Sequence, residues 1–520
     1  MRDAPLILGV SGLRGIVGES LTPEVAVRYA GAFGSWLMER DCCAVVALAS
    51  DGRKGWEAVY SAAKAGLLAS GCQVVELGIQ TTPTVGVVVT EKALNGAIQV
   101  TASHNPQEWN GLKCLVEDRN ESGMLDAIES RDTARIRNQA RASGAQAPTA
   151  TQADEIIKIY QGARPAWLKH PLYASSEIYQ GGGDDHVASV FRALRDHSNS
   201  WPNFSIAVDS VNASGCEITR CFARFTKKVR LTHLNGDGSG IFPHTPEPTK
   251  ENLSGAGGLC DAVPGLKADV GFAQDPDADR LAIVDEKGVY IGEEYTLVLC
   301  AMALMEGRGA AGGTGAARAE ARGSQAPVFV VNLSTSRMID DVAAHYGAEV
   351  VRTPVGEANV VEAMKRLKGA GRDVVMGGEG NGGVIWPEVT YVRDSLSAMA
   401  LTLALMARTG KTVSELVAMV DAMGPGKKGY CILKRKAPLS SKADAAPVVE
   451  HVAGHYKGVA GAVVDTQDGV RIDWPERGVW AHVRASNTEP IMRVIVEAPT
   501  EGEAGAVASE VEGVIAGVRT

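Results

Sequence analysis

The chain lacks most of the features that place a protein in a specialised class, and each absence excludes something. It has no Cys-x-x-Cys pair and no Cys/His spacing of a zinc site; its nine cysteines (Cys42, Cys43, Cys72, Cys114, Cys216, Cys221, Cys260, Cys300, Cys431) are odd in number and scattered. That distribution argues against a disulfide framework and for reduced thiols in the cytosol. The longest apolar runs, such as residues 297–305, fall well short of the ~18 residues that a membrane span needs. The N-terminus shows no basic segment followed by an apolar one, so no signal peptide is expected. No basic block offsets the formal net charge of −9, which argues against a nucleic-acid partner. The expectation is a cytoplasmic protein with no membrane and no nucleic-acid partner. Small anionic ligands stay open to it, because a local cluster of Arg and Lys matters more than the total.

What is present is a globular composition, 45% hydrophobic and 22% charged over 520 residues. At ~150 residues per domain this length predicts three or four domains. Strand and helix patterns alternate from the start: a short apolar strand at 7–10, a helix over 22–39, a strand at 45–49, a helix at 57–70, a strand at 73–77, a helix at 82–91 and a strand at 96–100. Such alternation predicts an α/β layer structure, with ligand loops gathered at the carboxyl ends of strands. Residues 119–152 read as a linker, and 307–325 as a low-complexity Gly/Ala/Arg insertion. Further units begin near Ser205 and Val328, and the composition breaks again at Gly424. The last unit reads as a strand at 479–484, a loop, a strand at 491–497 and a helix at 501–518.

Four polar loops carry chemistry. In Thr101-Ala102-Ser103-His104-Asn105-Pro106, a serine leaves an apolar strand beside a histidine, held by an Asn-Pro turn, with Asn110-Gly111-Leu112-Lys113 close behind; this suits a covalent nucleophile. In Asp275-Pro276-Asp277-Ala278-Asp279-Arg280, carboxylates at i, i+2 and i+4 lie between two apolar strands. An extended loop turns such carboxylates to one point, and hard oxygen donors gathered there favour Mg²⁺. An EF-hand is excluded because Arg280 stands where its loop needs Gly and strands flank the loop. Gly377-Gly378-Glu379-Gly380-Asn381-Gly382-Gly383 contains Gly-x-Gly-x-x-Gly, yet Val384-Ile385-Trp386-Pro387 follows where a dinucleotide site needs a helix. It reads instead as a flexible loop presenting Glu379 and Asn381 to hydroxyl groups. Arg484-Ala485-Ser486-Asn487-Thr488-Glu489-Pro490 offers an arginine, hydroxyls, an amide and backbone N–H groups in one turn, the donor inventory of a phosphate cradle. Near the start, Arg14 stands between Gly12 and Gly15, where the backbone can approach a ligand closely.

Together these loops resemble the α-D-phosphohexomutase superfamily, in family order and over nearly the whole chain. The resemblance implies four domains around a central cleft: three α/β units with mixed sheets and a smaller C-terminal α+β domain. Placed on this sequence they are 1–153 (phosphoserine), 154–306 (metal), 307–423 (sugar recognition) and 424–520 (phosphate). It further implies a phosphate carried on Ser103, and Mg²⁺ held by Ser103, Asp275, Asp277 and Asp279. Arg14, His104 and Lys113 would do acid–base or electrostatic work. Arg280, Thr353, Gly356, Glu379 and Asn381 would bind the sugar, and Arg484, Ser486, Asn487, Thr488 and Arg493 its phosphate. The implied reaction passes phosphoryl from Ser103 to a hexose monophosphate and back through a sugar bisphosphate, which also serves as activator. The enzyme would act on a small phosphosugar as a monomer or homodimer.

Ser11-Gly12-Leu13-Arg14-Gly15, Arg352-Thr353-Pro354-Val355-Gly356 and Gly378-Glu379-Gly380-Asn381-Gly382-Gly383 resemble the phosphoglucosamine mutase branch. Asn381 and Gly383 stand where the bacterial members of that activity carry Ser and His. Ala49-Ser50-Asp51-Gly52-Arg53 lacks the first arginine of the family's Gly-Arg-Asp-x-Arg. The alternatives are a phosphoglucomutase/phosphomannomutase and, from another class, a non-catalytic sugar-phosphate-binding protein.

Overall fold

The first sheet shows why strand and helix signals alternate so regularly. In β3 (Val45–Ser50) successive side chains point to opposite faces, and both faces are apolar. Val46 and Leu48 join a core with Phe33, Trp36 and Leu67 on one side, while Ala47 and Ala49 join Val75, Val85 and Val88 on the other. Helices on both faces bury this strand, and each fully buried Val or Leu contributes about 1.5–3 kcal/mol. The computed structural model describes residues 5–117, 144–162, 165, 167–168, 174–194, 201–308, 326–424, 429–486 and 490–519.

The remaining strands of this sheet are β1 (Ile7–Gly9), β2 (Gly12–Ile16), β4 (Gln73–Ile79), β5 (Gly96–Val100), β6 (Trp109–Glu117), β7 (Ala145–Gln146) and β8 (Ser176–Ile178). Their order is β1-β2-β6-β5-β3-β4-β8, with β7 beside β6. The pairs β3/β5, β3/β4 and β4/β8 are parallel and the others antiparallel, so the sheet is mixed. β8 joins this sheet, although its residues read as part of the following unit. Arg14 lies within β2. Gly12 at φ +106° permits this, since a Cβ there would collide with the Leu112 carbonyl of the neighbouring β6.

The second sheet has β9 (Phe204–Asp209), β10 (Val229–Leu234), β11 (Val270–Gln274) and β12 (Leu281–Val284), ordered β10-β9-β11-β12. It is parallel except for β11/β12, so the Asp275–Arg280 connection is a hairpin-like turn at the carboxyl end of β11. Both sheets belong to one compact unit, Met1–Thr296 with Gly382–Ser414.

The other unit comprises Leu297–Asn381 and Glu415–Thr520. It holds β13 (Val328–Asn332), β14 (Glu349–Thr353) and β15 (Val374–Glu379), paired in parallel with β13 central. After β15 the chain turns at residues 380–382 into the short strand β16 (Gly383–Ile385). A strand, not a helix, thus follows the glycine-rich run, and Glu379 ends a strand instead of riding on a loop.

The C-terminal sheet is wholly antiparallel, with β17 (Cys431–Pro438), β18 (Val463–Asp465), β19 (Val470–Trp474), β20 (Val479–Ala485) and β21 (Ile491–Ala498) ordered β17-β21-β20-β19-β18. Helix Glu501–Ala516 lays Ala504, Val507, Ala508, Val511 and Ile515 on the face presented by Val479, Ala481 and Val483. The sequence reading recognised β20, β21 and this helix, and passed over the other three strands and helix Ala445–Lys457. β17 is an edge strand whose half-buried Leu433 and Ala437 alternate with Lys434 and Lys436, so its apolar signal is weak. Among the described residues no helix is long and apolar enough to cross a membrane. Most of the 307–325 insertion and of the 119–152 linker lies outside the described residues.

Candidate active site

The chain leaves β5 through Thr101, whose N–H donates to the Gly111 carbonyl (3.0 Å), and the Asn105 N–H donates back to the Ala102 carbonyl (3.2 Å). Thr101 Oγ1 accepts from the Ser103 N–H (2.9 Å) and donates to Asp51 Oδ2 (2.6 Å). Asp51 in turn pairs with Arg53, whose guanidinium is buried and donates to the carbonyls of Ser103 (2.6 Å) and Trp109 (2.7 Å). This scaffold holds Ser103 at φ +50°, a left-handed conformation that costs a non-glycine residue about 1–2 kcal/mol. Ser103 is 2% exposed; its Oγ donates to Asp275 Oδ2 at 3.0 Å and lies 3.3 Å from His104 Nδ1. Arg14 Nη1 donates to Asn105 Oδ1 at 3.3 Å on the same loop. The proline-rich segment after β10 folds against it, with Gln107 Nε2 donating to the Gly240 carbonyl and Glu247 4.0 Å from His104 Nε2.

The acidic loop is wound around Asp275, whose Oδ1 accepts the N–H groups of Asp279 and Arg280, both at 3.1 Å. Asp277 is gripped by Thr82, through its N–H to the Asp277 carbonyl (3.0 Å) and its Oγ1 to Oδ2 (2.7 Å). Asp279 Oδ2 accepts from Lys113 (2.9 Å) and Arg393 (2.6 Å), and Arg280 Nε stands 3.8 Å from its Oδ1. All three aspartates are buried, and each offers a carboxylate oxygen within 4.8 Å of the others. Oδ1 of Asp277 and Oδ1 of Asp279 are buried with no hydrogen-bond partner among the described residues. Orphaned hard oxygens converging at one point fit a divalent cation such as Mg²⁺.

Like residues in this loop titrate in opposite directions. Burial raises the Asp275 carboxyl well above the usual carboxylate range, and the Asp279 and Asp277 charges add to that. Burial also pushes Asp279 up, but Arg393, Lys113 and Arg280 outweigh it and hold that carboxyl below the usual range. Burial, with Arg280 and Arg14 nearby, pushes His104 down to about 2, so its imidazole is uncharged at neutral pH.

In the other unit, Asn332 Nδ2 at the end of β13 donates to Glu379 Oε1 (2.9 Å), and Asn381 Nδ2 lies 3.4 Å from Glu379 Oε2. Thr353 ends β14 and is buried, and Gly356 follows at φ +127°. Arg484 on β20 stands directly opposite Arg493 on β21. Burial lowers the Arg484 guanidinium, Arg493 lowers it further, and Asp468 and Glu379 act against both. The Ser486 N–H donates to the Ile491 carbonyl (3.0 Å), whereas Asn487 and Thr488 lie outside the described residues.

The structure therefore brings Ser103, His104, Lys113, Arg14, Asp275, Asp277, Asp279 and Arg280 together in one unit. Thr353, Gly356, Glu379, Asn381, Arg484, Ser486 and Arg493 lie in the other. Sequence reasoning missed Arg53, Thr82, Arg393 and Asn332. The Asp51-x-Arg53 spacing at a strand exit was the available signal for Arg53; nothing local marks the other three.

Models of the phosphoglucomutase/phosphomannomutase domains match in succession: α/β/α domain I at residues 5–139, domain II at 185–288, domain III at 294–423 and the C-terminal domain at 433–514. The chain belongs to the phosphoglucomutase/phosphomannomutase family. It is a phosphohexomutase of four α/β-type domains, the last with an antiparallel sheet. It is 32% identical to the "Probable phosphoglucosamine mutase" of Methanopyrus kandleri, covering 95% of this chain and 94% of that one. It is 31% identical to the "Phosphoglucomutase/phosphomannomutase" of Thermococcus kodakarensis, over 96% of each chain. A solved phosphoglucomutase/phosphomannomutase family protein from Burkholderia thailandensis shares the fold, with a TM-score of 0.73, 22% identity and coverage of 99% and 98%.

Proposed function

We propose that this phosphohexomutase interconverts glucosamine 6-phosphate and glucosamine 1-phosphate, with Ser103 as the phosphoryl carrier. The observation that carries the mechanism is Ser103 Oγ, strained and buried, 3.0 Å from a carboxylate of the aspartate cluster. The substrate rests on the near full-length likeness to the Methanopyrus kandleri protein and to a Pyrococcus abyssi relative of the same name, 30% identical over 98% of this chain. The Thermococcus kodakarensis relative, at 31%, supports a phosphoglucomutase/phosphomannomutase as the second reading.

In the proposed cycle a hydroxyl oxygen of the sugar monophosphate attacks the phosphorus on Ser103. A new O–P bond forms, the Ser103 Oγ–P bond breaks, and the hydroxyl proton leaves to a nearby base. The resulting sugar bisphosphate presents its other phosphate to Ser103, and the reverse transfer releases the isomer. His104, 3.3 Å from Ser103 Oγ, would do acid–base or electrostatic work on that step. Asp275, Asp277 and Asp279, with the phosphate on Ser103, would hold Mg²⁺, which when bound spreads the charge of the transferring group. Arg14 and Arg280 add fixed positive charge there, and Lys113 and Arg393 keep Asp279 ionised. Glu379 and Asn381 would read the sugar hydroxyls, and Thr353 and Gly356 would add further contacts to the sugar. Arg484, Ser486 and Arg493, with Asn487 and Thr488, would hold the phosphate that is not transferring. Like charges directly opposite across β20 and β21 are unfavourable alone and become favourable around an anion.

A sugar bisphosphate would activate the dephosphorylated enzyme. The free state of all nine cysteines supports a cytoplasmic enzyme, which we take to act as a monomer or homodimer. The test is kcat/KM for glucosamine, glucose and mannose phosphates with Mg²⁺ and a trace of the matching bisphosphate. A tenfold preference for glucosamine phosphate, about 1.4 kcal/mol in transition-state binding, is the expected result. A tenfold preference for glucose or mannose phosphate would transfer the assignment to the second reading.

A further inference from the structure

Two helix starts hold the aspartate loop. Helix Thr82–Glu91 is capped by Thr81, and its first residue, Thr82, makes both bonds to Asp277 described above. Helix Ser395–Thr409 is capped by Asp394, whose Oδ1 accepts the Leu396 N–H at 2.9 Å. Around that cap, Arg393 bonds Asp279, the Ser395 N–H donates to the Ala278 carbonyl (3.3 Å), and Gln274 Nε2 donates to Ser395 Oγ (2.9 Å). One helix start therefore grips Asp277 and the other grips Asp279.

A third helix, Gly182–Leu194, bridges the two. His186 Nδ1 lies 2.9 Å from Thr84 Oγ1 and its Nε2 3.0 Å from Asp394 Oδ2, and Thr84, His186 and Asp394 are all 0% exposed. Thr81 Oγ1 lies 2.7 Å from Thr84 Oγ1, and Ser397 Oγ donates to Asp394 Oδ2. One assignment of hydrogens satisfies this whole chain: Thr81 to Thr84, Thr84 to His186 Nδ1, and His186 Nε2–H to Asp394. A hydroxyl, an imidazole and a carboxylate in this order resemble a nucleophilic triad, but all three are sealed from solvent and the hydroxyl proton points into the chain, so no substrate reaches it. Phosphoryl transfer uses none of them. A buried polar network is favourable only when every member is satisfied, and then it fixes the spacing of the elements it joins.

We propose that Thr84, His186 and Asp394 form a positioning relay that sets the divalent-cation affinity of the aspartate loop by locking together the two helix starts that hold Asp277 and Asp279. This role rests on those aspartates being the cation ligands. Removing one member leaves buried polar groups unpaired and frees one grip relative to the other. Outer-shell partners of metal ligands change affinity by roughly 10–100-fold, so a weakening of about tenfold is expected here.

The test is Mn²⁺ titration of the full chain by electron paramagnetic resonance, with circular dichroism to confirm folding. Thr84→Val deletes the hydroxyl at nearly constant volume, and His186→Gln breaks the bridge. Val85→Ala, which opens a cavity on the same helix without touching the relay, serves as the control for general destabilisation. The expected result is an affinity about tenfold weaker in Thr84→Val and His186→Gln, with wild-type affinity in Val85→Ala. Wild-type affinity in folded Thr84→Val, or an equal loss in Val85→Ala, overturns the relay; if His186→Gln does not fold, Thr84→Val decides alone. Should the wild type bind no Mn²⁺, or Asp277→Asn bind it as tightly, the assignment of the aspartates as ligands falls first and the relay with it.

Discussion

Two places in this molecule crowd like charges, and they do so on opposite terms. At the end of β11, Asp275, Asp277 and Asp279 converge in full burial, and the protein itself supplies compensation through Lys113, Arg393 and Arg280. On β20 and β21, Arg484 and Arg493 stand opposite each other, with Arg493 exposed and Arg484 Nε without a hydrogen-bond partner among the described residues. Burying charge without partners costs several kcal/mol per ion, so a buried cluster must be built with its counter-charges in place. A half-exposed pair carries a smaller penalty, which an arriving anion removes. The first arrangement suits a resident cation and fixed chemistry; the second suits a phosphate that comes and goes.

The widest contrast comes from removing the group that only the buried site has. Ser103→Ala should cut turnover by about a thousandfold or more and leave the fold intact. Rates near wild type in that variant would rule out the covalent carrier. Next, Asp279→Asn leaves Lys113 and Arg393 facing a neutral amide, which should destabilise the unit by about 3–5 kcal/mol as well as abolish activity. Chemical denaturation of this variant and of Arg493→Met would put numbers on the contrast, since the latter should lose no stability.

Acid should reach the open region through a different group. His482 on β20 is buried, its Nδ1 2.9 Å from Ser334 Oγ and its Nε2 2.7 Å from the Asp468 carbonyl, and burial lowers it from 6.5 to about 4. As pH falls, the unfolded chain takes the proton first, so this contribution to stability is complete above about pH 6.5, is lost between there and pH 4, and is constant below. Its full size is about 3 kcal/mol. A His482→Gln variant should show a flatter denaturation midpoint between pH 7 and pH 4.5; an unchanged slope would remove His482 as the cause.

The smallest effect sharpens the comparison most. Arg493→Met should raise KM for the phosphosugar about tenfold with kcat little changed, because the proposed phosphate contact would be equally present in substrate and transition state. In phosphate-free buffer the same variant should gain about 0.2–1 kcal/mol from the lost repulsion. A fall in kcat without a change in KM would instead place Arg493 among the groups that act on the reacting phosphate.

Much of this was legible in order along the chain. The Ser103 loop was readable because an apolar strand runs straight into an Asn-Pro turn, and the acidic loop because its carboxylates repeat at every second residue between two strands. Helix 82–91 and strand 96–100 fell at the expected residues, since both have strong local signals. The glycine-rich run misled only in part: the absence of a helix after it was foreseen, but Glu379 belongs to β15 because Val374, Val375 and Met376 continue a buried parallel strand up to it. In the C-terminal sheet, β17, β18 and β19 escaped notice because their apolar signals are short or alternate with charge.

Sequence by itself determined the local devices: which serine leaves a strand, which carboxylates share a turn, which runs are buried on both faces. These depend on residues a few positions apart and so are written in spacing. Tertiary structure alone decided which groups answer one another. Arg53 secures the Ser103 carbonyl from 50 residues away, Arg393 reaches Asp279 across 114, and His186 meets Asp394 across 208. It also decided that Asp275 and Asp279, the same residue type in the same turn, titrate in opposite directions. A carboxyl's behaviour in the interior is set by the charges that folding places around it, and chain order carries no record of those distances.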